Sequence, residues 1–288
     1  MTDLPKIDEL WDYNKPEQTE QQFRELLPQA QASGDIPYHA ELLTQLARTQ
    51  SLQRKFNEAH AILDDAEALL GQAGARARVR YLLERGRTFN SLGKKEQAKP
   101  LFVEAWDLGR EVGEEGLAVD AAHMVAIAES GDAVLAWNLK AMEYAEASTD
   151  PDARRWLGSL FNNIGWTYHD QNEFEKALEM FEQALVARRE QDDAENIRVA
   201  QWCVARCLRS LKRIEEALAI QQNLLAEYEE LGQPSGYTQE EMGENLLALN
   251  REAEARPHFA EAYAILSQDA WLVENEKERV ERLKELGK

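Results

Sequence analysis

The stretch that decides the fold is GSLFNNIGWTYHDQNEFEKALEMFEQALVARREQ, residues 158–191. It places small and large residues at fixed intervals, with Gly165 and Ala177 twelve residues apart and Phe181 four residues later. Apolar side chains three and four residues apart give a helix one buried face. Small residues such as Gly165 let two helices approach closely. The stretch therefore predicts a pair of packed helices.

The same spacing recurs along the chain with a period of 38 to 40 residues. The central small residues of the copies are Ala47, Gly86, Ala126, Gly165, Ala205 and Gly243. Helix-breaking clusters such as Gly113–Gly116 and Gly232–Gly236 lie between copies. No run of alternating β-branched residues competes with the helical pattern. We therefore expect an all-α chain of repeated antiparallel helix pairs.

This pattern resembles the tetratricopeptide repeat over residues 37–267. The resemblance implies a right-handed superhelical solenoid, here a single domain of six repeats. The repeat limits that we expect are 37–74, 75–113, 114–148, 150–192, 194–232 and 235–267. Residues 1–36 are then an N-terminal half-repeat or cap, and residues 268–288 are a C-terminal capping helix. The period of 38 to 40 residues exceeds the family's usual repeat length of about 34 residues. In this respect the chain is similar to the bacterial regulatory members of the family, which have long repeats.

Two features depart from the regular pattern. Eight residues separate Ala126 from Val134, whereas the other copies have twelve between these positions. Since an α-helix turns once in about 3.6 residues, about one turn is missing from the third copy. Pro100 and Pro257 stand at equivalent positions near the start of a second helix. Because proline lacks a backbone donor, each predicts a late start or a mild bend.

Composition limits the class of function. The chain has 288 residues with 33 Lys and Arg against 53 Asp and Glu, a net charge of −20. Nucleic acids and anionic membrane surfaces repel such a chain, so we expect neither as a partner. No apolar run is long enough to span a bilayer, and residues 1–13 lack the pattern of a secretory signal. We expect a cytoplasmic protein.

Residues that could support catalysis are scattered. The sequence contains no phosphate-binding glycine loop, nucleophile elbow or paired Cys-x-x-Cys motif. Cys203 and Cys207 share a predicted helix face and are interpreted as small buried residues, with a soft-metal site as the less favoured alternative. We therefore predict no enzyme activity, no cofactor and no metal.

The two helices of a copy differ in charge. The first helices of the second, fourth and fifth copies are net positive, whereas their second helices are neutral or acidic. In tetratricopeptide-repeat folds the first helices line the concave groove. The resemblance thus implies a locally basic groove, which attracts an acidic or carboxylate-ended segment. The favoured interpretation is a non-catalytic interaction scaffold or adaptor.

The groove-facing positions carry side chains suited to a peptide. Arginine binds carboxylates, tryptophan supplies rigid contact area, and asparagine pairs with backbone amides. The predicted partner-binding residues are Arg48, Arg80, Arg87, Asn90, Asn162, Asn163, Trp166, His169, Trp202, Arg206 and Arg209. Asn163 matches the asparagine of the family's carboxylate clamp. The other clamp positions hold His123, Ile127, Val199 and Cys203, which disfavours a cochaperone for chaperone tails.

Three alternatives to a peptide-binding groove stay open. In the first, the arginines only pair with neighbouring carboxylates, and Trp166 and Trp202 only pack between repeats. The groove holds a small ligand or signalling peptide, which makes the chain a regulatory sensor. The last copy is acidic, with Glu240, Glu241 and Glu244, so its end and the basic middle of a second chain associate in a homo-oligomer.

Overall fold

The computed structural model describes residues 4–288. The chain divides into two compact units, Met1–Leu160 and Phe161–Lys288. No β-strand occurs within the described part of the chain, where helices are joined by short turns. The all-α prediction is confirmed. None of the described helices is long and apolar enough to cross a membrane.

The first unit begins with a short 3-10 helix, Ile7–Leu10. Its α-helices are α1 Pro16–Ser33, α2 Ile36–Leu52, α3 Phe56–Ser91, α4 Lys95–Val112, α5 Glu115–Ala128, α6 Asp132–Ala147 and α7 Pro151–Arg154. Helix α3 continues through a kink at Gly74, whose φ of 79° is a conformation that glycine adopts without strain. Consecutive helices of this unit pack against each other as antiparallel pairs.

Helix α8, Leu157–Asp170, starts before the unit boundary and continues into the second unit. The helices that follow are α9 Phe174–Glu190, α10 Ala194–Ser210, α11 Ile214–Glu230, α12 Gly236–Ala248, α13 Glu252–Leu266, α14 Ala270–Asn275 and α15 Lys277–Leu286. The last two helices bury Leu272 and Leu283 against a core that contains Phe259. The limits of six repeats in one domain stay a prediction.

The predicted irregularities have different outcomes. Helix α5 ends two residues after Ala126, whereas α2 ends five residues after Ala47, so the missing turn is confirmed. A late start at the prolines is wrong, because α4 and α13 begin five residues before Pro100 and Pro257. Buried alanines near the start of each helix hold the first turn in the core. They are Ala98 and Ala255.

Three of the helix pairs are held by a close contact between a glycine and an aromatic ring. The pairs, each sixteen residues apart, are Gly86–Phe102, Gly165–Phe181 and Gly243–Phe259. A Cβ on Gly165 would lie 2.7 Å from the Phe181 ring, which is inside van der Waals contact. The first copy has Ala47 and Leu63 at these positions, both buried. A larger first residue is thus accompanied by a smaller second one.

Gly165→Ala should lower the free energy of unfolding by about 1–3 kcal/mol, because the added methyl group overpacks the Phe181 ring. In a Phe181→Leu background the same substitution should cost much less, since the pair then matches Ala47 and Leu63. Urea denaturation of the four proteins of this double-mutant cycle measures the coupling. An equal loss of unfolding free energy in both backgrounds would show that the Phe181 ring does not limit the size of the side chain at position 165.

The fifth copy lacks the aromatic residue and has Gln221 in its place, sixteen residues after Ala205. Gln221 is fully buried. Its amide nitrogen and oxygen have no hydrogen-bond partner among residues 4–288. An unsatisfied buried polar group costs about 1–3 kcal/mol. This position is therefore a weak point in the core of the second unit.

Gln221→Leu should raise the free energy of unfolding by roughly 1–3 kcal/mol, because it removes the unpaired amide and restores the leucine that accompanies alanine in the first copy. Chemical denaturation measures the change. The matched control is Gln222→Leu on the exposed side of the same helix, which should give no gain. A lower free energy of unfolding for Gln221→Leu would contradict the conclusion that the buried amide weakens the core of the second unit.

Candidate functional site

In the first unit, three predicted binding residues line one cavity of about 330 Å³. Arg48 lies on α2, and Arg80 and Arg87 lie on the second half of α3. We call these residues the arginine cluster. The rest of the cavity is lined by Tyr13, Gln45, Leu83, Glu84, Leu117, Asp120 and Trp156. Its walls thus combine charged and aromatic side chains.

Carboxylates of the same unit pair with the arginine cluster. Arg87 donates to Glu84 at 2.5 Å and to both carboxylate oxygens of Asp120. Arg80 lies 3.0 Å from a Glu41 oxygen and donates to Asp8. These ion pairs are what the alternative interpretation of the arginines predicts. They neutralise much of the positive charge that the first helices carry.

Arg48 differs from Arg87 in the strength of its pairing. Its Nε lies 3.7 Å from Glu84, a carboxylate that Arg87 already contacts more closely. Burial lowers the pKa of Arg48, and the attraction of Glu84 does not restore it. For Arg87 burial acts the same way, but Asp120 and Glu84 outweigh it and hold the pKa above its usual value. Arg48 is therefore the less compensated cation.

In the second unit, aromatic side chains of consecutive first helices form a row. Trp166 of α8 lies 6.2 Å from Trp202 of α10, and Trp202 lies 6.4 Å from Tyr237 of α12, measured between ring centroids. Trp166 also packs edge-on against Phe181. The Trp202 indole donates to the Tyr237 carbonyl at 3.3 Å. We call these three residues the aromatic row, and its members remain partly exposed.

A second pair of arginines lies on the same helix as Trp202. Arg209 donates two hydrogen bonds to the carboxylate of Glu241, of 2.8 and 2.9 Å, and so forms a bidentate pair. Arg206 lies 3.3 Å from Glu241 and donates to the Ser210 hydroxyl at 2.8 Å. Burial and the neighbouring Arg209 lower the pKa of Arg206. Burial lowers the pKa of Arg209, but the hydrogen bonds that Arg209 donates to Glu241 outweigh burial and raise this pKa.

The asparagines and the histidine of the predicted surface occupy separate places. Asn90 lies near the end of α3, and its side-chain oxygen has no hydrogen-bond partner within the described residues. Asn162 accepts a bond of 3.4 Å from the Cys203 thiol, and Asn163 lies beside it on α8. His169 lies 2.9 Å from the Ser210 hydroxyl. His169 therefore joins the Arg206 network.

The acidic residues of the last copy are paired within the second unit. Glu240 binds Arg279 at 2.5 Å, Glu241 binds Arg209, and Glu244 binds Arg282. These contacts use the carboxylates that the self-association hypothesis assigned to a second chain. Glu241 thus meets an arginine of the preceding copy, and Glu240 and Glu244 meet arginines of the last helix, within one molecule.

Sequence reasoning missed the segment before α1. Asp8, Trp11 and Tyr13 lie beside the arginine cluster, but this segment follows no repeat pattern that would predict its location. The carboxylates Glu84 and Glu241 did carry a signal. Each stands two residues before the small residue of its helix, Gly86 or Gly243.

The cysteines lie in the core. Burial is the main cause that raises the pKa of Cys203 to about 12 and that of Cys207 to about 11. Both thiols are thus protonated at neutral pH, which suits packing rather than nucleophilic chemistry. No cluster of three or more potential metal ligands occurs among residues 4–288.

Residues 157–190 match a model of the tetratricopeptide repeat family. The fold resembles that of a signal-transduction ATPase with a tetratricopeptide-repeat sensor from Pyrococcus horikoshii, with a TM-score of 0.72 and 13% identity. This match covers 93% of the present chain, which spans only 41% of the ATPase. No curated protein matches the sequence.

Two further structures have the same fold. The apo form of RapI has a TM-score of 0.72 at 15% identity, and the match covers 92% of this chain and 76% of RapI. NprR in complex with its cognate peptide NprX has a TM-score of 0.52 at 16% identity, with 97% and 86% covered. The fold and the matched segment define a helical repeat protein. The chain has the fold of tetratricopeptide-repeat proteins, and its family-model match lies within residues 157–190.

Protonation of histidines should destabilise the fold. Burial is the largest cause that lowers the pKa of all five histidines, His39, His60, His123, His169 and His258. The unfolded chain therefore binds protons more readily, and the free energy of unfolding should fall as the pH drops below about 6.5.

Urea denaturation at about pH 7.5 and about pH 5.5, on either side of the ordinary histidine pKa, measures this effect. His123 packs against Trp156 at 5.2 Å between ring centroids, so His123→Gln should weaken the pH dependence. Stability that is unchanged or higher at the lower pH would contradict the expectation.

Proposed function

We propose that this chain is a non-catalytic scaffold whose first helices bind a carboxylate-bearing segment of a partner protein. The tetratricopeptide-repeat fold indicates a protein interaction module. The finer proposal depends on one observation, which is the shared surroundings of Arg48 and Arg206. A cytoplasmic location belongs to the same proposal.

Arg48 and Arg206 occupy the same repeat position, directly after the small residues Ala47 and Ala205. Each lies beside a carboxylate that a closer arginine already neutralises, Glu84 in one unit and Glu241 in the other. Both side chains remain partly exposed, at 23% and 26%. A ligand carboxylate would supply the missing negative charge through charge-assisted hydrogen bonds.

Neighbouring groups can hold the backbone of a bound segment. The buried oxygen Oε2 of Glu84 has no hydrogen-bond partner in the described chain, and Asn90 has a similar unpaired oxygen. Because both oxygens are buried, a backbone N–H of a peptide would reach them only after neighbouring side chains move aside. In the second unit, the aromatic row offers Trp166 and Trp202 as rigid contact area. NprR, which has the same fold, has been crystallised with its cognate peptide.

A second candidate function is a regulatory sensor. The cavity at the arginine cluster measures about 330 Å³, which lies within the range of small-molecule sites. Arg80 and Arg87 are compensated by carboxylates, whereas Arg48 lies 3.7 Å from a Glu84 oxygen and is the least compensated cation on its walls. A small anion would therefore bind beside Arg48. A ligand of this kind would raise the melting temperature through linkage.

Arg206→Gln should weaken binding of an acidic peptide by roughly tenfold, the loss of one charged hydrogen bond. The peptides are selected from a random displayed library on the wild-type protein, and their affinities are measured by fluorescence anisotropy. Arg48→Gln tests the first unit in the same way. Glutamine removes the charge, keeps a polar unbranched side chain and adds no repulsion to Glu241 or Glu84.

The matched controls are Arg213→Gln and Arg251→Gln, because each arginine pairs with an exposed glutamate three residues later. They should not change affinity. Selected peptides without enrichment in Asp and Glu would contradict the acidic-ligand proposal. An equal loss in the controls would show that net charge, rather than the assigned arginines, governs binding.

A further inference from the structure

We infer that residues 4–14 are an internal ligand of the arginine cluster and compete with the acidic partner of the first unit. The inference depends on the proposed function, because it concerns the same surface. It also specifies the partner, which is an acidic segment with aromatic residues close to its carboxylate. The argument starts from the contacts of this segment.

The carboxylate of Asp8 contacts Arg80, a member of the arginine cluster, and the neighbouring Arg76. Its two oxygens lie 2.8 and 2.6 Å from Nη2 of Arg80, and one oxygen lies 3.7 Å from Arg76. Arg80 is itself a buried residue that lines the cavity. The position of the Asp8 carboxylate is thus one that a partner's carboxylate would take.

Two aromatic residues of the segment extend along the same surface. The Trp11 indole donates a hydrogen bond of 3.0 Å to Gln45, which lines the cavity. Tyr13 stacks on Trp11 with ring centroids 4.5 Å apart and planes within 5°. Tyr13 also lines the cavity, although 63% of it is exposed. The segment therefore binds through one carboxylate and two aromatic rings.

The segment has the chemistry that the proposed function expects of a partner. Residues 4–14 read LPKIDELWDYN, with three acidic residues and one lysine. Their regular structure is one turn of 3-10 helix, Ile7–Leu10. The segment is therefore not part of a helix pair and lies against the arginines as a short bound peptide would. The resulting pattern, Asp-x-x-Trp-x-Tyr from residue 8 to residue 13, describes the partner that we expect.

The polar contacts of the segment are weak enough to exchange. The side chain of Asp8 is 59% exposed, so water can solvate its carboxylate when the segment leaves, and Arg80, which is 9% exposed, keeps Glu41 as a partner. The segment's firmer anchors are the buried Ile7 and an edge-on contact between Trp11 and Phe23. A partner that displaces residues 8–13 must therefore replace the contact between Trp11 and Phe23 with rings of its own, whereas Ile7 can keep its place in the core.

A labelled peptide of residues 4–14 tests the inference when it is added to the full-length protein. Wild-type protein should bind it weakly, because its own segment occupies the site. Asp8→Lys places a third cation beside Arg76 and Arg80 and should expel the segment. This variant should bind the peptide roughly tenfold more tightly, as measured by fluorescence anisotropy.

The matched control is Glu9→Lys, which changes the charge equally one residue away. Glu9 pairs with the exposed Lys6 and not with the cluster, so this variant should behave as the wild type does. A peptide with asparagine in place of Asp8 should bind the Asp8→Lys protein more weakly, because it lacks the carboxylate but keeps both aromatic rings. Asp8→Ala is a milder variant that should bind the peptide with intermediate affinity.

Equal binding to the wild type and the Asp8→Lys variant, or binding to neither, would overturn the inference and leave the segment as part of the cap. The proposed function has a separate outcome. If library-selected acidic peptides that require Arg48 bind both proteins equally, an acidic groove ligand exists but does not compete with the segment. Loss of acidic selectivity itself would instead overturn the proposed function.

Discussion

The close packing of a small residue on a first helix against the second helix of its pair determines which side chains can reach a ligand. Gly165 touches the ring of Phe181, so this face of α8 is turned toward α9. Each residue advances an α-helix by about 100°, which takes the next residue, Trp166, away from the pair contact. Arg48 and Arg206 follow Ala47 and Ala205 in the same way. Helix packing thus fixes the direction of the proposed binding residues.

The second constraint is the cost of burying charge. A guanidinium taken out of water needs a carboxylate nearby, and this acidic chain provides Glu84, Asp120 and Glu241. In each unit, two arginines share one carboxylate, which leaves one arginine poorly compensated. The surface is therefore less basic than its arginine content suggests. Selectivity for a ligand would come from the position of a carboxylate rather than from long-range attraction.

Much of the fold followed from the sequence, because the small and large residues repeat at fixed spacing. That spacing predicted the helix pairs, the missing turn after Ala126 and the helices that carry the candidate residues. It did not predict the carboxylate partners, because a pair such as Arg87–Asp120 joins residues 33 positions apart and depends on how neighbouring helices are turned. The location of residues 4–14 was also unpredictable, since no repeat pattern covers them.

The segment of residues 4–14 compensates the positive charges of the arginine cluster unevenly. Asp8 provides a carboxylate to Arg80, while the residue that the segment brings to the cavity beside Arg48 is Tyr13. A tyrosine phenol is uncharged at neutral pH, so it cannot supply the negative charge that Arg48 lacks. A partner with one carboxylate at the place of Asp8 and another at the place of Tyr13 would compensate both arginines. Such a partner would have an electrostatic advantage over the chain's own segment, which would offset part of the advantage that the segment has from being tethered to its site.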